Sequence, residues 1–166
     1  MSLHLRGARE DDYVPIIAVV DDWWGGRHMA EMLPRLFFVH FQDTSFVIED
    51  GDTGALAGFV VGFVSQSRPG EAYIHFVGVH PAYRRRGVGE QLYAAFFAAA
   101  AARGCTSVHS VTSPVNTASI AFHRRLGFAV EPGDGSVDGV AVTSNYDGRG
   151  QDRVRFVKRI GTSDED

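Results

Sequence analysis

The spacing of apolar and polar residues changes several times along the chain, and each change marks an element. Leu3 to Arg9 alternates apolar with polar positions, as a half-buried strand does. Glu10–Asp12 then offers N-cap acceptors for a helix through Ile16, Ile17, Val19 and Val20 that stops near Trp23-Trp24-Gly25-Gly26. The pattern from Met29 to Phe41 is a broad helical apolar face interrupted by Pro34, which kinks the helix or starts a new turn. Ser45–Glu49 reads as a short strand, and Asp50-Gly51 with Gly54 as a hairpin into Leu56–Ser65. After a turn at Ser67–Gly70, the β-branched and aromatic run Ala72–Val79 is a buried strand ended by Pro81.

Val88, Leu92, Phe96 and Ala99 recur at helical spacing up to Arg103, and Gly104 supplies the stop. Ser107–Thr112 is another strand, followed by a helix from Asn116 to Gly127. On that helix Ala118, Phe122 and Leu126 form the expected buried face, while Asn116, Ser119 and His123 form one polar stripe. Phe128–Glu131 and Arg153–Ile160 read as a final pair of strands. The Gly- and Asp-rich link Pro132–Gln151 is longer than the ~15 residues at which loops in compact domains become functional or disordered. It reads as a lid or a wall of a binding site. The pattern predicts an α/β domain over 1–160, with Gly161–Asp166 a disordered acidic tail.

Composition narrows the function. No apolar run reaches the roughly 18 residues of a membrane helix, and no signal peptide is evident, which predicts a cytoplasmic protein without a membrane partner. A formal charge of −4 argues against general nucleic-acid binding. The seven histidines show no paired spacing with cysteine or acidic ligands, so no metal is expected. The single Cys105 has no base beside it in sequence, which disfavours a covalent acyl-enzyme. Fifteen of the sixteen basic residues are arginine, so an arginine run carries less weight than the glycines near it.

The chemistry concentrates at His80–Gly89, a strand-to-helix turn with three arginines and two glycines. Glycines permit positive φ and close approach, and a helix start presents unpaired N–H groups at the positive end of its dipole, so this turn suits phosphate. It lacks the Gly-Lys-Ser/Thr of nucleotide loops and the third glycine of the dinucleotide fingerprint. Arg84-x-x-Gly87-x-Gly89 instead resembles the pyrophosphate loop of the GCN5-related N-acetyltransferases (GNAT), Arg/Gln-x-x-Gly-x-Gly/Ala. Asn116-Thr-Ala-Ser-Ile-Ala-Phe-His-Arg-Arg-Leu-Gly-Phe128 is similar to that family's Asn-x-x-Ala-x-x-x-Tyr-x-x-x-Gly-Phe block, and the resemblance runs from about Leu3 to Ile160.

The resemblance implies a mixed, mostly antiparallel central sheet with splayed strands, flanked by about four helices. It implies acetyl-CoA as cosubstrate and direct attack of an amine through a tetrahedral intermediate. Arg84, Arg85, Arg86, Gly87, Val88 and Gly89 would bind the pyrophosphate, the backbone of Val77, Gly78 and Val79 the pantetheine arm, and Asn116, Ser119 and His123 the same cosubstrate. His123 stands where the family usually has a tyrosine, which makes it the candidate proton donor to the leaving thiolate.

His75 and Tyr73 share a strand face with Glu71 by the period of two and are the candidate bases, His75 first because imidazole titrates near neutrality. A hydrogen-bonded core histidine would look the same in sequence. Trp23, Trp24, Arg27, Phe38 and Phe41, with His75, are candidates for an aromatic acceptor pocket whose guanidinium suits a carboxylate. The expected acceptor is the amine of a small molecule, a free amino acid leading. A protein N-terminus or lysine, or a CoA-binding sensor without chemistry, are the alternatives. Homodimers occur in this family, though no residue here points to one.

Overall fold

Seven strands form one sheet in the order β1-β2-β3-β4-β5-β9-β6, in a computed structural model that describes residues 2–161. The acidic tail beyond Gly161 lies outside those residues. The strands are β1 (Leu3–Gly7), β2 (Phe46–Asp50), β3 (Leu56–Val64), β4 (Glu71–Val79), β5 (Ser107–Thr112), β6 (Ala129–Val130) and β9 (Val154–Arg159). All neighbours pair antiparallel except β4 with β5, which run parallel. Their connection passes through helix α3 (Val88–Ala102), as a parallel pair requires. The other helices are α1 (Tyr13–Trp23), α2 (Leu36–His40) and α4 (Thr117–Arg125).

Two apolar clusters cover the sheet. Leu92 and Phe96 of α3 pack on Val60, Ile74, Val108 and Phe156, while Ile16 and Val20 of α1 and Phe38 of α2 pack with Phe59, Val61 and Phe76. Each fully buried Leu, Ile or Phe among these contributes about 1.5–3 kcal/mol of apolar burial. Gly58 allows α3 to lie this close, since a Cβ there would sit 2.8 Å from Val88 Cγ1.

The strand expectations hold to within a residue or two, and three local readings are corrected. The second helix is not continuous from Met29 to Phe41: a 3₁₀ turn at Ala30–Met32 ends before Pro34, which starts a new turn, the second of the two alternatives, and α2 begins at Leu36. Asp12 does not cap α1 through its side chain. Its carboxylate accepts from the Arg9 amide at 2.7 Å and from the Arg6 guanidinium at 2.7 and 2.9 Å. The link Pro132–Gln151 contains a hairpin, β7 (Gly135–Val137) with β8 (Val140–Val142), which its Gly- and Asp-rich composition concealed.

One irregularity matters for the site. Along β3 and β4, Val61 pairs with Phe76 but Gly62 pairs with Ile74, so His75 is an extra residue, a β-bulge. Strict alternation therefore fails at this point. Tyr73 stacks on Phe63 and His75 on Phe37, both on the α2 side, whereas Val77 and Val79 pack with the cluster under α3.

Candidate active site

Strands β4 and β5 hydrogen-bond only from Glu71–Tyr73 to Ser107–His109. Beyond that they part, β5 staying with β9 as far as Thr112, and the gap is the mouth of a cavity of about 620 Å³. Ile74–Val77 line one side and Ser110–Ser113 the other. The splay leaves main-chain groups of β4 facing the cavity, a suitable partner for an extended amide chain.

The turn that begins α3 lies at the end of β4. Gly87 is the N-cap residue with φ +76°, and Arg85 just before it has φ 64°, so the chain curls through two left-handed residues before the helix. A Cβ at Gly87 would meet nothing within 4 Å. The first-turn amides of α3 have no intrahelical acceptors. The turn fits a pyrophosphate.

Its neighbours have other duties. Gly89 serves packing, because a Cβ there would come within 3.1 Å of Phe122 Cζ on α4. Arg84 is committed to the fold: its guanidinium donates to the Trp23 carbonyl at 2.6 Å, tying the loop to the end of α1. Arg86 lies over the Tyr83 ring, 5.5 Å from its centroid.

On α4, Asn116 caps the helix by accepting from the Ser119 amide at 3.1 Å, and Asn116, Ser119 and His123 all line the cavity. The face opposite them differs from expectation. Ala118 is exposed, Phe122 and Leu126 are half-buried, and Ile120 with His123 forms the buried edge.

His123 itself is only 4% exposed, stacked on Phe156 at 4.1 Å. Burial pushes its pKa below the ordinary histidine value, and a hydrogen bond with the Ser119 carbonyl offsets this only in part, so the ring is neutral at neutral pH. Its Nδ1 stands 2.8 Å from that carbonyl and its Nε2 stands 3.2 Å from both the Tyr93 hydroxyl and the Ser110 hydroxyl. Tyr93 and Ser110 also line the cavity. Neither was singled out in the sequence. Tyr93 follows the apolar position Leu92 and reads as part of the buried face of α3.

His75 lines the cavity, and its Nε2 donates to the Met32 carbonyl, since a carbonyl oxygen can only accept. That leaves Nδ1 as the ring atom able to take a proton. Tyr73 lines the cavity too, but burial raises its pKa, so it stays a phenol and is corrected from base to hydrogen-bond donor.

The expected acceptor pocket divides. Trp24 and Arg27 line the cavity. They reach it because Gly25 and Gly26 end α1 with φ +68° and +87°, and the Asp21 carboxylate then accepts from the amides of Met29 and Ala30 at 2.7 and 2.8 Å. Trp23 and Phe38 are instead buried in the core under α1 and α2, and Phe41 faces a separate shallow depression beside Asp43 and Arg103. Aromatics at helical spacing were core at these positions.

The late loop supplies a wall that composition only hinted at. Asp147, Gln151 and Arg153 line the cavity, and an ion pair from Arg153 Nε to Asp147 at 2.7 Å joins two of them. Among the described residues no cluster of three His, Cys, Asp or Glu could hold a metal ion, and no helix is long and apolar enough to cross a membrane.

The arrangement has known relatives. The chain is 31% identical over 87 residues to an L-2,4-diaminobutyric acid acetyltransferase of Shouchella clausii, a match covering 52% of this chain and 48% of that protein. It is 29% identical over 128 residues to an acetyltransferase of Pectobacterium atrosepticum, covering 76% of this chain and 87% of the relative. The crystal structure of Ard1 from Thermoplasma volcanium superposes with a TM-score of 0.75 at 20% identity, covering 96% of this chain and 99% of the other. That chain shares the fold. The model of the acetyltransferase (GNAT) family matches residues 13–128, a span that takes in the bulged strand, the glycine turn and the polar stripe of α4, and the protein belongs to that family.

Proposed function

We propose that this protein moves the acetyl group of acetyl-CoA to the primary amine of a small carboxylate-bearing molecule, with a free amino acid as the leading acceptor. The observation that carries the reading is the placement of Arg27 in the wall of a cavity that the Asp147–Arg153 loop closes from the opposite end of the chain. A guanidinium there suits a carboxylate by bidentate hydrogen bonding. The closed wall favours a small acceptor over a polypeptide, and the similarity to a relative named for L-2,4-diaminobutyric acid agrees with it.

Acetyl-CoA, when bound, supplies the thioester carbonyl that the amine attacks. The α3 turn at Gly87 would hold its pyrophosphate and the unpaired edge of β4 its pantetheine arm. The acceptor amine must be neutral to attack. The α-amino group of a free amino acid is mostly protonated at neutral pH, so a base must take its proton. His75, whose Nε2 is fixed by Met32, presents Nδ1 to take the proton that nitrogen loses as the C–N bond forms.

The test is thiol release from acetyl-CoA across single amino acids, polyamines, aminoglycosides and short peptides, beside a control without acceptor. The expected result is turnover selective for one amino acid, with Arg27→Ala raising its KM and sparing that of acetyl-CoA. Turnover confined to peptides, or an Arg27→Ala variant with an unchanged acceptor KM, overturns the reading.

A further inference from the structure

The buried ring of His123 carries its proton on the nitrogen that faces Ser119. Nδ1 meets the Ser119 carbonyl at 2.8 Å, and a carbonyl oxygen only accepts, so the hydrogen sits on Nδ1. Nε2 then offers a single lone pair, and the neutral ring has no proton there to give. Around that lone pair stand two hydroxyls, Tyr93 of α3 and Ser110 of β5, each at 3.2 Å. One lone pair takes one good hydrogen bond. Whichever hydroxyl does not donate to Nε2 keeps its proton for something else, and both border the cavity.

The phenol is the better free donor. A phenol is far more acidic than an aliphatic alcohol and donates a stronger bond to an anion, and burial, which raises its pKa, keeps the proton on the oxygen throughout the working range. Its ring is also held firmly, edge-on to Phe97, Phe122, Phe128 and the imidazole itself.

We propose that Tyr93 is a catalytic residue whose hydroxyl hydrogen-bonds the departing thiolate, and that His123 is a positioning residue that engages Ser110 and sets the phenol in place. The proposal rests on the acetyl-CoA chemistry of the family and not on the identity of the acceptor. As the C–N bond forms and the C–S bond breaks, the electron pair leaves with sulfur. Tyr93 carries that charge by its hydrogen bond without losing its proton, and the thiolate takes a proton from solvent after release.

The test reads coenzyme A bound to the full chain, with no acceptor present. Ultraviolet titration of the bound thiol should give an acid dissociation constant about tenfold larger than for free coenzyme A, the value of one charge-assisted hydrogen bond. Tyr93→Phe should lose that gain while binding the protonated thiol normally. In turnover, Tyr93→Phe should lower kcat about 100-fold, as loss of a donor to a developing anion does, with the KM of acetyl-CoA unchanged. Nitrogen NMR of His123 should show the neutral Nδ1–H tautomer through neutral pH.

An imidazolium signal, a bound thiol that titrates like the free one, or a gain kept in full by Tyr93→Phe would each overturn the proposal. The NMR spectrum and the wild-type titration decide it even if Tyr93→Phe does not fold. Failure of every acceptor tested under the proposed function leaves these binding readings intact.

Discussion

The turn at Arg84–Gly89 and the cluster around His123 are both suited to the same cosubstrate, yet they are built from different materials. The turn is backbone: two left-handed residues and a helix start within a few consecutive positions. The cluster is side chains, with Tyr93 and Ser110 lying 30 and 13 residues from His123 along the chain. A backbone site depends on local conformation, so a substitution within it acts through φ and charge. A side-chain site depends on packing from three elements, so its chemistry can pass from one residue to another while the fold stays unchanged.

The largest expected effect breaks the turn alone. Gly87→Asp places a negative charge beside the pyrophosphate position, and like charges in such a contact cost several kcal/mol, so coenzyme A affinity should fall by at least about 100-fold. Gly87→Asn is the control. Asparagine tolerates the left-handed region, and a Cβ at this position meets nothing within 4 Å, so the protein should fold and bind with a loss below about tenfold. Calorimetry with coenzyme A and a melting curve separate the two. Equal losses would mean that the conformation, not the charge, is what the ligand requires.

The second glycine of the motif should behave differently. A leucine at Gly89 drives into Phe122 and should cost about 1–3 kcal/mol of stability by overpacking, read as a lower urea midpoint. An unchanged midpoint would show that α3 and α4 can shift apart, and the packing account of Gly89 would fail.

These glycines mark the limit of what was legible in advance. The motif announced Gly87 and Gly89 together, but their physical reasons, left-handed φ for one and helix contact for the other, appear only in three dimensions. Elements with strong period were readable: Val88, Leu92 and Phe96 announced α3, and β4 stood out by its β-branched run. The bulge at His75 was not, because one inserted residue leaves no mark in composition and yet reverses the faces of Val77 and Val79. Trp23 and Phe38 look in sequence like the walls of a pocket and prove to be core, since aromatic identity does not reveal which side of a helix is covered. Tyr93 was hidden for the converse reason. A tyrosine in an apolar stripe reads as packing, and only the placement of α4 against α3 brings its hydroxyl to His123.

A smaller effect, in stability, tests the state of the His123 ring. Its folded pKa is lowered, so below the unfolded value the unfolded chain binds the proton more readily, and stability present above about pH 6.5 is lost as pH falls. The slope is at most about 1.4 kcal/mol per pH unit. Asp12, whose pKa is also lowered on balance despite its burial, loses its contribution only below about pH 4, so the two windows separate. Chemical denaturation between these limits should show the loss in the wild type, and His123→Gln should flatten it. A wild type with constant stability over that range would mean that the buried ring is hydrated enough to take a proton, and the neutral assignment would fall.

The smallest effect belongs to the late loop. Asp147 and Arg153 form an ion pair whose side chains are 32% and 11% exposed, so screening keeps the pair weak, on the order of 1 kcal/mol or less. Asp147→Asn should therefore leave the fold and coenzyme A affinity unchanged. It should nevertheless loosen the Asp147 side chain within the segment between Thr143 and Arg153, whose backbone stays tied by one β-bridge, the turn bonds of Asn145 and the Ser144 amide on Asp134. The acceptor KM should rise by a few-fold, up to about fivefold for 1 kcal/mol, with kcat little altered, because the wall positions the acceptor and takes no part in bond making. If kcat fell instead and KM held, Asp147 would have to act on the reacting amine itself. The loop would then belong with the His123 cluster as a place where side chains from distant segments carry the chemistry.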